Sequence, residues 1–441
     1  MCSIIVFLSL FLVISSLSAA DVPQDKEDLQ NLVSFPSIGT RIVEGSYIVT
    51  FKERNDFEHP VIDLPNTAKK GDVPVGKPTS GQSEQEIAST LSLKGKIVSI
   101  LEVDNALIVQ MSAKEAHRLL GDDRVLSIEP SMEGSWTGTQ NNPGWALDRV
   151  DEVSPLLDNP YNYTLNGAGR TIYILGSGLT LANAAMAAEF GGRASVLWDW
   201  NGGDGADFIG HGTMVASAAA GNTKGVAKGA TVVVGKIANN ATNAPSFDAI
   251  ITALNWLAAN AARGSIVNIS AGLQTNPVNC NTPITYIPLE NAIKNAHNAG
   301  IIVVVSAGND GCNTANYTPT RIPEAFVVGA TDNFRISSGK DAKAYFSRTG
   351  FNISTFAPGQ AVNLINQNGT PVSVNGISFS APYIAGVFAI ACQAAGTLCN
   401  TASTAAPLYT ALRNTGTIGT VTNTDGTPLT GATSRFIWQQ W

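Results

Sequence analysis

The amino-acid sequence predicts an α/β protein: a doubly wound parallel sheet preceded by a small ferredoxin-like α+β block. Three observations carry that expectation. Val/Ile-rich runs at residues 171–175, 231–237, 265–270, 301–306 and 325–330 have the length and composition of strands buried on both faces. Helical stretches separate them, among them 247–262 behind Pro245-Ser246 and 289–298 before Gly300, and such alternation implies a parallel sheet. Upstream of residue 131 the apolar runs are shorter and follow the order βαββαβ, a split ferredoxin-like arrangement.

Taken in order, residues 1–20 contain an apolar run from Ile4 to Leu17 ending in Ser18-Ala19-Ala20, the signature of a cleaved secretory signal. An exported, extracellular protein is therefore expected. The small block occupies residues 21–135. Within it the pattern predicts a strand over 46–52, a helix over 84–93, and a hairpin of 97–103 and 106–111 turning at Asp104-Asn105. A helix over 113–120 and a strand over 125–129 complete it. The Pro-, Gly- and Lys-rich insert at 55–82 reads as a loop, and the polar stretch 131–143 as a linker. The larger domain fills residues 136–441.

Composition narrows the functional classes. Net charge is −7 without a basic run, which argues against a nucleic-acid partner. After the signal, no segment is apolar for the ~20 residues that a membrane helix needs, so no membrane association is expected. A monomer is the expected state. Loss of the signal removes Cys2 and leaves Cys280, Cys312, Cys392 and Cys399, for which three pairings exist. The favoured pairing is Cys280–Cys312, in loops after two neighbouring strands, with Cys392–Cys399 closing a short loop at a helix end. A cysteine metal site is disfavoured, because Cys-x-x-Cys is absent and neither histidine of the larger domain is near a cysteine. Asn162, Asn240, Asn316, Asn352 and Asn368 begin glycosylation sequons. Asn268 does too, but it falls on an expected buried strand.

Chemistry concentrates beyond the carboxyl ends of the expected strands, where open α/β sheets gather their active groups. Gly376-Ile377-Ser378-Phe379-Ser380-Ala381-Pro382 places a serine at a glycine turn entering an apolar helix. A serine hydroxyl attacks carbonyls only with a base to take its proton. Its own N–H at a helix start can stabilise the resulting oxyanion. Gly210-His211-Gly212-Thr213 supplies a histidine at another helix start, a base of suitable pKa. Asn309 follows the run 301–306, where its amide could donate to the same oxyanion. Singly, these residues read as a helix cap, a structural histidine and a turn asparagine. Their order and surroundings make them specific together.

With those segments in view, the chain resembles subtilisin-like serine proteases of the proteinase K type. The resemblance covers the His211 and Ser378 segments and the oxyanion segment Ser306-Ala307-Gly308-Asn309. It also covers Phe190-Gly191-Gly192-Arg193-Ala194 and Asn316-Tyr317-Thr318-Pro319. It implies that Ser270, Ala271 and Gly272 wall the substrate pocket and that a peptide or protein substrate occupies the cleft. It implies that the block at 40–130 is an inhibitory propeptide that binds and chaperones its own enzyme, cut between about Pro130 and Gln140. No cofactor is required. Asp332, with the carbonyls of Pro323 and Ala325, occupies positions resembling a structural calcium site, and oxygen ligands suit that ion.

One departure dominates. The family reads Asp-Thr-Gly or Asp-Ser-Gly after its first core strand, whereas this chain reads Gly176-Ser177-Gly178. The expected triad carboxylate is thus Gly176, a difference of one base in the codon. That carboxylate fixes the histidine tautomer and stabilises the imidazolium. In subtilisin, its loss alone lowers turnover by about 3 × 10⁴, roughly 6 kcal/mol of barrier. The expectation is therefore a secreted subtilisin-like endopeptidase homologue with impaired hydrolysis. The alternatives are an active enzyme using another orienting group, or a pseudoprotease serving as a binding decoy or scaffold. Asp204 and Asp207 precede His211 without matching the missing position. Ile377 and Pro245 are lesser departures, the latter in a segment that ordinarily pairs with substrate backbone.

Overall fold

The computed structural model describes residues 40–52, 84–101, 106–134, 138–153, 155, 157–273, 279–336, 339–401, 404–429 and 435–437. The expected signal peptide, the 55–82 insert and the Asp104-Asn105 turn lie outside them. Internal contacts divide the chain into two units, Met1–Gly134 and Ser135–Trp441.

In the first unit, β1 (Thr40–Phe51), β2 (Gly95–Leu101), β3 (Ala106–Met111) and β4 (Val125–Gly134) form a sheet ordered β2-β3-β1-β4. Helices α1 (Glu84–Thr90) and α2 (Ala113–Leu120) complete the βαββαβ order. The pairings β1–β3, β1–β4 and β2–β3 are antiparallel. Alternation along the strands sends Val49, Phe51, Ile97, Leu107 and Val109 into one core with Ile87 and Leu119 of the helices. Ser112 caps α2 by accepting from Glu115 N, the expected role for a serine before a helix. β4 runs to Gly134, so the start of the stretch expected as linker is strand instead.

The second unit opens with a ribbon of β5 (Gly138–Asn141) and β6 (Pro160–Tyr163) around α3 (Trp145–Asp151). Its main sheet contains β7 (Thr171–Gly176), β8 (Ala194–Asp199), β9 (Thr231–Lys236), β10 (Ile266–Ile269), β11 (Ile302–Ser306) and β12 (Phe326–Ile336). The edge strands β13 (Lys340–Lys343), β14 (Ile353–Pro358) and β17 (Val421–Thr422) join it, while β15 (Val362–Ile365) and β16 (Pro371–Val374) make a separate ribbon. Among the described residues the sheet is nine-stranded, ordered β17-β13-β12-β11-β10-β7-β9-β8, with β14 on β12. Pairing from β8 through β12 is parallel.

Helices α4 (Ala184–Phe190), α5 (His211–Ala220), α6 (Phe247–Asn260), α7 (Ile287–Asn298), α8 (Ile377–Ala395) and α9 (Ala405–Thr415) flank the sheet. Strands buried on both faces require two cores, and there are two. One gathers Ile172, Ile174, Val232, Val304, α5 and α8, and the other Val267, Val303, Val305, α6 and α7. α8 is apolar on all sides because it is wrapped on all sides, with Phe379 through Cys392 buried. It is the one described helix long and apolar enough to cross a membrane by length and composition. The disulfides are Cys280–Cys312 and Cys392–Cys399, with Cα separations of 5.0 and 5.3 Å.

Candidate active site

The strand order brings the carboxyl ends of β7, β10 and β11 side by side, with the starts of α5 and α8 facing them. His211 is the first residue of α5 and Ser378 the second of α8. The His211 ring stands 5.6 Å, centroid to centroid, from Phe379, the residue after the serine. Sequence-distant segments thus meet at one point.

Ser378 is held from two sides. Asn268 Nδ2 donates to Ser270 Oγ at 2.9 Å, and Ser270 Oγ donates to the Ser378 carbonyl at 2.9 Å. The Ser378 hydroxyl donates to the Ser270 carbonyl at 3.4 Å, a long bond that a substrate can displace. Asn309 Oδ1 accepts from Ile377 N at 3.0 Å, which anchors one side of its amide and leaves the NH₂ to donate elsewhere. Asn309 is exposed, and no acidic side chain lies in the first turn of α8. The helix start therefore keeps its positive potential for an oxyanion. Asn268, whose sequon prompted the question of glycosylation, is fully buried on β10 and serves this chain of hydrogen bonds.

The His211 side has a different balance. Asp207 is buried, and both of its oxygens are occupied by the α5 entry. Oδ1 accepts from Ile209 N (3.1 Å), Gly210 N (2.8 Å) and Ser177 Oγ (2.7 Å); Oδ2 accepts from Thr213 N (2.9 Å) and Thr213 Oγ1 (2.7 Å). Ser177 Oγ in turn accepts from Gly212 N at 2.8 Å. Asp207 is a helix cap, not an imidazole partner. Asp204 is exposed and accepts from Ala206 N in its own turn. Among the described residues no hydrogen bond reaches the His211 ring. Burial holds the imidazole pKa below its ordinary value, partly opposed by the nearby charge of Asp207. A neutral base at pH 7 results.

Gly176 ends β7 with ordinary backbone, its carbonyl accepting from Ile237 N at 2.8 Å. A Cβ built there would meet Gly212 Cα at 3.1 Å and Ile174 Cγ2 at 3.5 Å. A side chain at this position would point at the residue following His211, whose backbone would have to give by a few tenths of an ångström.

The remaining expected residues distribute as follows. Ala271 and Gly272 continue from Ser270 at the end of β10, and Gly272 is exposed. Pro245 is exposed and bridges Ala238, with Asn239 N donating to the Ala244 carbonyl, so this segment folds back on itself. Asn162, Asn240 and Asn368 are exposed. Asn316 and Asn352 are half-buried, donating to the carbonyls of Cys280 (3.1 Å) and Thr320 (3.2 Å).

The calcium set does not converge. Asp332 and Ala325 are separated by most of β12, and an extended strand rising ~3.3 Å per residue carries them about 20 Å apart. A single ion holds its oxygens within about 2.6 Å. The side chain that the sheet brings beside the start of β12 is Ser354, whose hydroxyl accepts from Val327 N (3.3 Å) and Arg413 (2.8 Å). Two donors there, one cationic, oppose a metal ion. Carboxylate oxygens of Asp148, Glu152 and Asp158, at the end of α3, do lie within 4.8 Å of one another.

Sequence reasoning passed over Ser177, the Arg348–Asp310 pair and the full role of Asp207. Only Asp207 carried a local signal, an acidic residue one turn before a helix start.

Comparison with known proteins agrees with this architecture. The sequence profile of the subtilase family matches residues 167–430. An extracellular serine proteinase of Thermus sp. is 31% identical over 357 residues, 80% of this chain and 81% of that protein. Alkaline protease 1 of Aspergillus clavatus is 27% identical over 362 residues, 80% of this chain and 83% of that protein. The crystal structure of a cold adapted subtilisin-like serine proteinase superposes with a TM-score of 0.57 at 27% identity, covering 68% of this chain and 99% of that one. A parallel sheet that sets His211, Asn309 and Ser378 around one cleft, and a matching profile from Gly167 onward, lead to one conclusion: the chain belongs to the subtilase family.

Proposed function

We propose that the protein is an exported subtilase of the proteinase K type that binds peptides in the cleft around Ser378 and hydrolyses them weakly. The observation that carries this reading is the commitment of both Asp207 oxygens to the α5 entry. With Gly176 at the end of β7, the imidazolium that forms during attack has no carboxylate hydrogen-bonded to it, and Asp207 favours it only through space. The oxyanion side keeps Asn309 and the open start of α8, which supports a residual rate of roughly 10³–10⁴ over water.

In this mechanism Ser378 is the nucleophile, His211 takes its proton and later returns it to the leaving amine, and Asn309 with the Ser378 N–H receives the oxyanion. Ser270, Ala271 and Gly272 line the side-chain pocket. The block at residues 21–135, with its ferredoxin-like order, is the inhibitory propeptide, and the relative named as an extracellular serine proteinase favours secretion.

The experiment compares the natural chain with Gly176→Asp, using a serine-directed fluorophosphonate and a peptide substrate. Faster labelling and turnover in the aspartate variant alone supports the impaired reading; equal rates overturn it. An amino terminus near residue 135 that disappears in Ser378→Ala would reveal substantial self-processing by the natural chain, which also counts against impairment.

A further inference from the structure

Arg348 and Asp310 form an ion pair that the chemistry above does not use. Their side chains are 2% and 1% exposed. Arg348 Nε donates to Asp310 Oδ1 at 2.6 Å, and Nη2 donates to Oδ2 at 2.5 Å and to the Leu273 carbonyl at 2.9 Å. The guanidinium lies 3.7 Å over the Tyr317 ring. Arg348 N also donates to the Gly308 carbonyl at 3.1 Å. Gly308 has φ +119°, and a Cβ there would fall 2.2 Å from Arg348 Nε, so glycine is needed to let the arginine approach.

The placement matters because two segments leave the catalytic serine together. Residues 270–273 start from Ser270, bonded to the Ser378 carbonyl, and residues 308–310 contain Asn309, bonded to Ile377 N. Arg348 joins the same two segments again further along, at Leu273 and Asp310. The ring Ser378–Ser270–Leu273–Arg348–Asp310–Asn309–Ile377 is therefore closed by side chains at both ends.

We infer that Arg348 closes the floor of the substrate side-chain pocket and, by neutralising Asp310, selects an uncharged residue immediately before the scissile bond. The inference rests on the peptide-cleft reading given under Proposed function. An ion pair held this way offers neither charge to a ligand, since both carboxylate oxygens accept from Arg348 and the guanidinium is stacked on an aromatic face. Without the arginine, Asp310 is a buried carboxyl that ionises most readily when a cationic ligand side chain replaces the lost partner. Arg348 is a positioning residue here, acting on the pocket through Asp310 and Leu273.

The test uses the full chain carrying Gly176→Asp and matched fluorogenic peptides that differ only in having Phe, Lys or Glu before the scissile bond. The parent should favour Phe. Arg348→Gln, which keeps a donor for the Leu273 carbonyl, should raise the Lys-to-Phe ratio of kcat/KM by about tenfold or more. Adding Asp310→Asn should return the ratio to that of the parent. Asp310→Asn alone, which leaves an unpaired arginine, should shift preference toward Glu and covers the case in which Arg348→Gln does not fold. Equal losses on every peptide, with unchanged ratios, would mean a purely structural pair and overturn the inference. The same ratios measured as binding of peptides ending in Phe or Lys to the Ser378→Ala chain separate the two readings. Absence of peptide binding removes the cleft assignment and the inference with it. Binding that ignores charge in parent and variants removes the inference alone.

Discussion

The starts of α5 and α8 face each other across the cleft and treat the same physical problem in opposite ways. Each helix begins with backbone N–H groups that lack intrahelical partners. At α5, the buried carboxylate of Asp207 takes the N–H groups of Ile209, Gly210 and Thr213. At α8, the first turn contains no acid, and Asn309 takes only Ile377 N. One entry is electrostatically closed and the other is open. Under the proposed function, the open entry is the one that receives negative charge, and the closed entry leaves the imidazole without a hydrogen-bonded carboxylate. An aspartate four residues before the histidine is no substitute when the helix already holds it.

The largest expected effect tests that asymmetry directly. Gly176→Asp should raise kcat by up to about 3 × 10⁴, the cost of removing the corresponding group in subtilisin; steady-state peptide hydrolysis measures it. Next, Asn309→Ala in that variant should lower kcat by about 10²–10³ with KM nearly unchanged, as for a donor that acts on the transition state. A loss confined to KM would place Asn309 outside the oxyanion site.

Asp207→Ala should destabilise the fold by about 3 kcal/mol in urea denaturation, because several buried donors at the α5 entry lose their acceptor. Ser378→Ala, by contrast, should leave the urea midpoint within about 0.5 kcal/mol, since the open entry does not stabilise the fold through its hydroxyl. The smallest effect concerns pH. Burial depresses the His211 pKa, so the acidic limb of kcat/KM for the natural chain should lie below the ordinary imidazole range. An aspartate at 176 favours the imidazolium and should move that limb upward by about one unit. The sign for stability is consistent: a depressed histidine contributes above its unfolded pKa and loses that contribution as pH falls through the folded value.

Much of this molecule was legible in the sequence because its central strands are continuous apolar runs. Five of them appear within one or two residues of their expected starts. β8 escaped notice because, at the sheet edge, Ala194–Asp199 is only half-buried and carries no such run. β14 escaped because Ser354 and Thr355 interrupt its apolar character, although the strand is buried throughout. In the site, the residues that the sequence singled out stand in local motifs next to glycine. Arg348 had none, since its partners Asp310 and Leu273 are 38 and 75 positions away and only the fold brings them together. The calcium assignment failed for a related reason. Positions close in sequence are far apart in space when they share one extended strand.

Gly176 and Gly212 nearly touch, and the hydrogen bonds that secure this corner run through Ser177, Asp207 and Thr213 instead. Residue 176 can therefore change without altering what holds the strand end to the helix. A side chain there would press on the Gly212 backbone, so the position bears on packing at the helix start as well as on chemistry. Under the proposed function, a carboxylate beside the α5 entry is one substitution away.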